Sequence, residues 1–290
     1  MSFEYRERWW SSRDGLHLFA RDYAGAEGEA RLPVVCLHGL TRNSKDFEEL
    51  APRLAKEGRR VLVLDVRGRG RSDRDPDPSN YQPPVYARDV LALLDQLGIA
   101  RAIFIGTSMG GLITMMIAAL RRRAIAGAIL NDVGPEIGKA GLERILSYAG
   151  KPANVETWDD AADYARRTNG AAFPANTDED WMQFARRAFR DEGGRPVLDY
   201  DPAIMAPMDN GNPKTRSLVA TLLFRRLARS RPTLLVRGEL SDLCTAAIAD
   251  RMKRHAPRLQ RVDVPGVGHA PTLSEPAAMN SIRKFLAEVG

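Results

Sequence analysis

A mostly parallel, doubly wound α/β sheet is the fold class this chain predicts, and two observations carry that reading. Short, almost continuously apolar β-favouring runs alternate with amphipathic stretches through the first half, and the same rhythm returns near the end. Strands that are apolar throughout are buried on both faces, which is the mark of a parallel sheet covered by helices on either side. The second observation is a break. From Gly134 to about Ser217 no clear buried strand is found, and aromatic-faced helical segments take over. A helical cap inserted before the last two strands is therefore expected, with residues 1–133 and 218–290 forming one core and 134–217 the cap.

Each element has its own signal. "LHLFARDY" (Leu16 to Tyr23) reads as a strand and "PVVCLHG" (Pro33 to Gly39) as a short buried one. A helix is predicted from about Ser44 to Glu57, with Phe47, Leu50 and Leu54 on one face and Gly58 as its stop. "RVLVLDVRG" (Arg60 to Gly68) is another buried strand. The next helix carries the stripe Tyr86, Val90, Leu93, Leu94 and Leu97 and ends at Gly98. "IFIGTSMGG" (Ile103 to Gly111) is a strand that turns at once into the buried helix "LITMMIAAL", and "IAGAILND" (Ile125 to Asp132) follows as a strand. Within the insertion, one helix follows Thr157 and groups Trp158, Ala161, Ala162 and Ala165. Another starts at Thr177, with Asp180 as its capping-box partner. Strands return in "PTLLVRGELSD" (Pro232 to Asp242) and "LQRVDVPGVGHA" (Leu259 to Ala270), and a last helix stacks Met279, Ile282, Phe285, Leu286 and Val289.

The 290 residues, 44% hydrophobic, suffice for a large core. The net charge is +6, and only seven of the 43 basic residues are lysine. The arginines are scattered. The densest groups, "RGRGR" (Arg67 to Arg71) and "RRR" (Arg121 to Arg123), are too short and separate to make a nucleic-acid face. Cys36 and Cys244 do not make a disulfide framework. The opening "MSFEYRERWWSS" lacks the apolar core of a signal peptide, and no segment has the length of a membrane span. A cytoplasmic protein without membrane or nucleic-acid partners is expected. The histidines lack ligand spacing, so neither a metal nor a cofactor is expected.

Ser108 is the centre of the functional reading. Glycines two residues before and after it, Gly106 and Gly110, suit a strand-to-helix turn too tight for Cβ atoms, which would hold a lone serine in the open. A serine hydroxyl becomes nucleophilic when a histidine takes its proton and a carboxylate orients that histidine. His269, in the glycine-bracketed loop "GVGHAPTL" after the final strand, is the candidate base, because functional groups in such sheets gather beyond the carboxyl ends of strands. His17 lies inside a strand and His255 on a charged helix. Two acids are open. Asp242 ends "RGELSD" and is preferred; Asp132 ends "AILND" and is the alternative. Oxyanion donors are expected from the backbone N–H groups of Leu40, in "CLHGLT", and Met109, which follows the nucleophile.

"LHGL", "DVRGRGRSD", "GTSMGG", "RGELSD" and "GVGHA" together resemble, in order, the landmark motifs of the α/β-hydrolase superfamily. The resemblance covers the chain outside the insertion. It implies an α/β-hydrolase fold, a triad of Ser108, Asp242 and His269, an oxyanion hole at Leu40 and Met109, and a lid at 134–217. It also makes "RGRGRS" a structural turn. Haloalkane dehalogenases and epoxide hydrolases carry aspartate where Ser108 stands. Many ring-fission C–C hydrolases place tryptophan after the histidine, where this chain has Ala270. Cofactor-free haloperoxidases often have an aromatic residue in place of Leu40. The implied activity is a serine hydrolase cleaving a small, mostly apolar carboxylic ester or lactone through an acyl-enzyme. C–C bond hydrolysis and a non-catalytic ligand-binding role stand as alternatives. Trp158, Tyr164, Phe173, Trp181, Phe184, Phe189, Tyr200, Met205 and Met208 concentrate in the insertion, with most expected to pack and a minority to face the substrate. Arg144 and Arg216 leave room for a carboxylate on that substrate.

Overall fold

The computed structural model describes residues 4–25, 31–209 and 213–290. In chain order its strands and helices are β1 (Arg6–Ser11), β2 (His17–Tyr23), β3 (Val34–Leu37), α1 (Leu50–Lys56), β4 (Val61–Leu64), α2 (Pro83–Gln96), β5 (Ala102–Thr107), α3 (Met109–Arg121) and β6 (Ile125–Asn131). After these come α4 (Lys139–Tyr148), α5 (Trp158–Asn169), α6 (Asp178–Ala188), β7 (Phe189–Glu192), β8 (Arg195–Leu198) and α7 (Pro213–Ala228). The chain closes with β9 (Thr233–Gly238), α8 (Ala246–His255), β10 (Gln260–Val264) and α9 (Pro276–Val289).

Eight strands form one sheet in the order β1-β2-β4-β3-β5-β6-β9-β10, parallel from β4 to β10 and antiparallel at the β1 and β2 edge. Alternation along each strand divides the core. Val34, Cys36, Ile103, Ile105 and Val236 pack against α1 and α9 on one face. Val35, Leu37, Phe104, Leu130 and Leu235 pack against α2, α3, α7 and α8 on the other. This is the predicted doubly wound arrangement. Among the described residues no helix is long and apolar enough to cross a membrane.

Register positions the functional end of the sheet. Leu37 pairs with Gly106, Thr107 with Asn131, and Asn131 with Val236. The residues that follow β3, β5 and β6 therefore emerge side by side at one edge, next to the loop after β9. Open parallel sheets bind ligands beyond such carboxyl ends.

Several elements differ from their prediction. β1 went unread because "RERWWS" is exposed on alternate positions at the sheet edge, with its apolar content confined to the tryptophans. The helix expected over Ser44 to Glu57 is a 3₁₀ turn at Ser44–Phe47 followed by α1. The insertion also holds strands: β7 and β8 form an antiparallel hairpin closed by Gly193 and Gly194. Both glycines have positive φ, 63° and 92°, as a two-residue hairpin turn matching strand twist requires. These strands are short and half polar, so they carry no buried-strand signal. The expected boundary at 217 falls inside α7, whose Phe224 and Leu227 are buried in the main core. The side chains of Met208 and Arg216 lie outside what the structure describes.

α5 and α6 begin as predicted. Thr157 and Thr177 each accept the N3 backbone N–H, and Asp160 and Asp180 bond back to the cap residue. Their inner faces make a small core of their own, with Ala161, Ala165, Trp181 and Ala185 buried.

The turn at Ser108 leaves no room for side chains on its flanks. A Cβ on Gly110 would lie 2.1 Å from the Leu37 carbonyl oxygen, and one on Gly106 would lie 2.4 Å from the Gly110 carbonyl carbon. Helix α3 can start against β3 only with bare backbone at both positions. Gly110→Ala should cost at least about 3 kcal/mol, the upper end of ordinary overpacking, because backbone is struck instead of a movable side chain. Urea unfolding of the two proteins checks this, and equal midpoints would remove the close-packing argument.

Candidate active site

Ser108 sits between β5 and α3 with φ 51° and ψ −112°, a conformation that costs a non-glycine residue on the order of 1–3 kcal/mol. Its N–H donates to the Asn131 carbonyl at 2.9 Å, which ties the turn to the neighbouring strand end. The hydroxyl stands 3.1 Å from Nε2 of His269. On the other side of the ring, Nδ1–H donates to Oδ2 of Asp132 at 2.7 Å.

The acid facing His269 is thus Asp132, not the preferred Asp242. Asp132 follows β6 directly, also with positive φ (53°), and its carboxylate is fully buried. The Gly238 N–H donates to its Oδ1 at 2.9 Å, and the Ser241 hydroxyl donates to its Oδ2 at 2.5 Å. With His269 these satisfy a carboxylate that burial would otherwise penalise. Asp242, one residue beyond Ser241, points the other way. It forms a two-pronged ion pair with Arg144 of α4, at 2.8 Å for each contact. That hydrogen bonding pulls its carboxyl below the usual range, against partial burial and with a smaller contribution from His269. Helix α4 approaches this closely because Gly138 and Gly141 lie on the Asp242 backbone. A Cβ on Gly138 would be 2.1 Å from the Asp242 carbonyl oxygen.

The loop after β10 carries His269 and is fixed on both sides. Gly268 N–H donates to the Ala172 carbonyl at 2.6 Å, and the Asn131 side-chain amide donates to the Pro271 carbonyl at 2.8 Å. The predicted oxyanion residues also reach this edge. Among the described residues the N–H groups of Leu40 and Met109 have no protein acceptor. Arg69 holds both residues from behind. Its Nε donates to the Leu40 carbonyl at 3.0 Å and its Nη2 reaches Met109 Sδ at 3.5 Å, while the guanidinium stacks over Tyr86.

A family model described as the alpha/beta hydrolase fold matches residues 33–276. The chain belongs to that family. It is 35% identical over 276 residues to 3-hydroxybutyrate-oligomer hydrolase of Cupriavidus necator, covering 93% of each chain. To the sn-1-specific diacylglycerol lipase ABHD11 of Mus musculus it is 28% identical over 266 residues, covering 90% of this chain and 83% of the lipase. A crystal structure of an α/β hydrolase from Novosphingobium aromaticivorans superposes with a TM-score of 0.89 at 44% identity, covering 98% of both chains. The protein is an enzyme, a hydrolase of this fold.

Ser108 and His269 open into a cavity of about 140 Å³ between the sheet edge and the insertion. Pockets for drug-sized ligands are roughly 300–1,000 Å³, so this one is small. Of the aromatic residues expected to divide between packing and pocket, Tyr164, Phe173, Phe184, Phe189 and Tyr200 line the cavity, more than the expected minority. Trp181 is buried in the insertion core, and Trp158 lies under the Arg186 guanidinium at 3.7 Å.

Sequence reasoning missed Ser241 and Arg69. Ser241 had no signal apart from its place beside Asp242. Arg69 lay inside "RGRGRS", whose glycines were read as a turn. That reading fits the positive φ of Gly68 (73°) and Gly70 (55°).

His38, at the root of the Leu40 loop, is fully buried. It donates from Nδ1 to the Gly39 carbonyl at 2.7 Å and accepts the Val66 N–H on Nε2 at 3.0 Å. Only the neutral ring can do both. Burial depresses its pKa to about 4 from an ordinary 6.5. In the unfolded chain His38 gains its proton near pH 6.5, so between 6.5 and 4 the unfolded state binds more protons and stability falls with falling pH. The shift is equivalent to about 3 kcal/mol, about three-quarters of it lost by pH 4.5 and nearly all of it present above pH 7. His38→Gln should remove that part of the pH dependence. Urea unfolding at pH 7 and 4.5 checks it, and parallel losses in both proteins would contradict a neutral buried imidazole.

Proposed function

We propose that the protein cleaves a short carboxylic ester, or the corresponding lactone, with Ser108 as nucleophile, His269 as base and Asp132 as the orienting acid. The observation that carries the reading is the continuous chain of hydrogen bonds from Ser108 through His269 to Asp132, opening into the aromatic-lined cavity.

His269 Nε2 takes the hydroxyl proton as Ser108 Oγ attacks the ester carbonyl carbon. The charge that develops on the carbonyl oxygen is met by the Leu40 and Met109 N–H groups, fixed before reaction and thus needing little reorganisation. The imidazolium, stabilised by Asp132, protonates the leaving alcohol as the C–O bond breaks. A water molecule, deprotonated by the same Nε2, then releases the acid from Ser108. The ester relation is supported by the relatives, which are named for an oligomer of a hydroxy acid and for diacylglycerol. A complete relay facing an open cavity gives no support to a binding member that has lost its chemistry. The segment expected as a lid, residues 134–217, acts as the cap over Ser108 as far as the start of α7, and its aromatic side chains set the preference for short apolar chains. Two buried, free cysteines are compatible with the cytoplasm.

Turnover of 4-nitrophenyl esters from acetate to octanoate tests the reading. Activity should peak at short acyl chains, and Ser108→Ala should lose at least about 10⁴-fold while keeping its fold. A folded protein inert to esters and lactones and unlabelled by a fluorophosphonate sinks it.

The acid assignment has a separate test. Asp132→Asn should lose about 10³–10⁴-fold in kcat, because the amide can hold the wrong tautomer of His269. Asp242→Asn, which breaks the Arg144 pair and leaves the bond between Asp132 and His269 in place, should stay within about tenfold, the span of an ordinary net hydrogen bond. The reverse order of effects would return the role to Asp242.

A further inference from the structure

Three cationic side chains line the cavity around Ser108: Arg42, Lys45 and Arg187. Two are already engaged by the protein. Arg42 gives Nε and Nη2 to the half-buried Asp46 at 2.5–3.0 Å and lies over the Phe184 ring. Lys45 sits 3.0 Å from the Asp199 carboxylate and donates to the carbonyls of Arg186 and Phe189 at 3.2 and 2.7 Å.

Arg187, in the last turn of α6, differs. Among the described residues its guanidinium makes no hydrogen bond, and its nearest carboxylate, Glu49, stands 4.0 Å away. Glu49 also faces Arg53 at 3.4 Å and is half exposed. The other acids on the cavity wall are taken: Asp46 by Arg42, and Glu48 by Arg21 at 2.8 Å. A guanidinium carries five donors in a fixed fork that matches the two oxygens of a carboxylate. Here Arg187 lines the same small cavity as Ser108, with its side chain about one-quarter exposed. A favourable contact with the helix end accounts for a cation at this position. It does not account for one lining the cavity with its donors unused.

We infer that Arg187 receives a free carboxylate on the substrate, so that the preferred substrates are short esters carrying an acid group, with the aromatic wall holding the carbon chain between the ester and that group. This rests on the ester-hydrolase reading above and narrows its substrate class. Arg144, the arginine that the sequence singled out for such a role, is excluded from it by its pair with Asp242.

The experiment compares two activated esters of similar length, neutral 4-nitrophenyl valerate and anionic mono-4-nitrophenyl glutarate. The readout is the ratio of their kcat/KM values for wild type, Arg187→Gln and Arg187→Lys. The ratio should fall roughly 10–100-fold in Arg187→Gln, the size of a hydrogen bond to a charged group, with the loss mostly in KM. Arg187→Lys should retain part of it, as a point charge without the fork. A ratio that stays within twofold overturns the inference, including when both rates fall together. Glutarate binding to Ser108→Ala, followed by calorimetry, reads the same contact without turnover. Binding that disappears with Arg187→Gln supports the inference even if the neutral ester is not hydrolysed, and absent or unchanged binding overturns it.

Discussion

The backbone of Ser108 is the constraint on which the site depends. A left-handed residue between a parallel strand and a helix reverses the chain within one position, and so holds the hydroxyl clear of both elements. The strain is tolerable only because the surroundings over-determine it. Gly106 and Gly110 remove the two side chains that would collide, and the Asn131 carbonyl holds the Ser108 N–H. The same turn starts α3, so Met109 enters as the first helical residue with its N–H unpaired, as all helix N-termini leave their first N–H groups. The proposed nucleophile and the proposed oxyanion donor are thus products of one geometric demand. Removing either glycine would disturb both.

A second left-handed residue, Asp132, repeats the device one strand away. Its carboxylate is deep, and its three donors come from β9, from the loop after β9 and from the loop after β10. The position that could have supplied the acid after β9 supplies a hydroxyl instead. Ser241 also accepts the Leu243 and Cys244 N–H groups, at 3.2 and 3.0 Å, so its proton is committed to Asp132. Such an arrangement orients the acid without adding a second negative charge next to His269. Asp242 would add one, and its charge is instead matched by Arg144.

This explains why the fold was legible in the sequence while the acid was not. Periodicity reports how a side chain is buried, and the apolar strands, the glycine elbow and the helix caps are all statements about burial or backbone. Ser108, His269, Leu40 and Met109 could be proposed from the sequence because each follows a strand end at a short offset. The acid depended on which of two adjacent polar residues, Ser241 or Asp242, turns toward β6. That is decided by α4 docking through Gly138 and Gly141, a contact between segments about 100 positions apart. Local patterns carry no such information. The β7–β8 hairpin escaped for a related reason, since its strands are stabilised by their turn and by packing on α6, not by an apolar run.

The arginines, dispersed in the sequence, turn out to be structural connectors as much as surface charge. Arg67 is fully buried among Asp14, Asp75 and Asp89, and Arg69 is buried beneath the oxyanion loop. Guanidinium groups are unusual in interiors, because an unpaired buried charge costs far more than a pair stabilises. Here each is surrounded by acceptors supplied by the turn that contains it and by the loops it joins. Gly70 permits the turn to close on Asp65, whose carboxylate a Cβ would approach to 2.3 Å. Arg69 then fixes the Leu40 carbonyl and with it the Leu40–Thr41 peptide plane, while the plane that carries the Leu40 N–H is held through the Gly39 carbonyl by the His38 ring. The preorganisation that the proposed oxyanion donors would need is thus built from buried polar side chains, whose rigid, directional donors achieve what hydrophobic packing, being non-directional, does not.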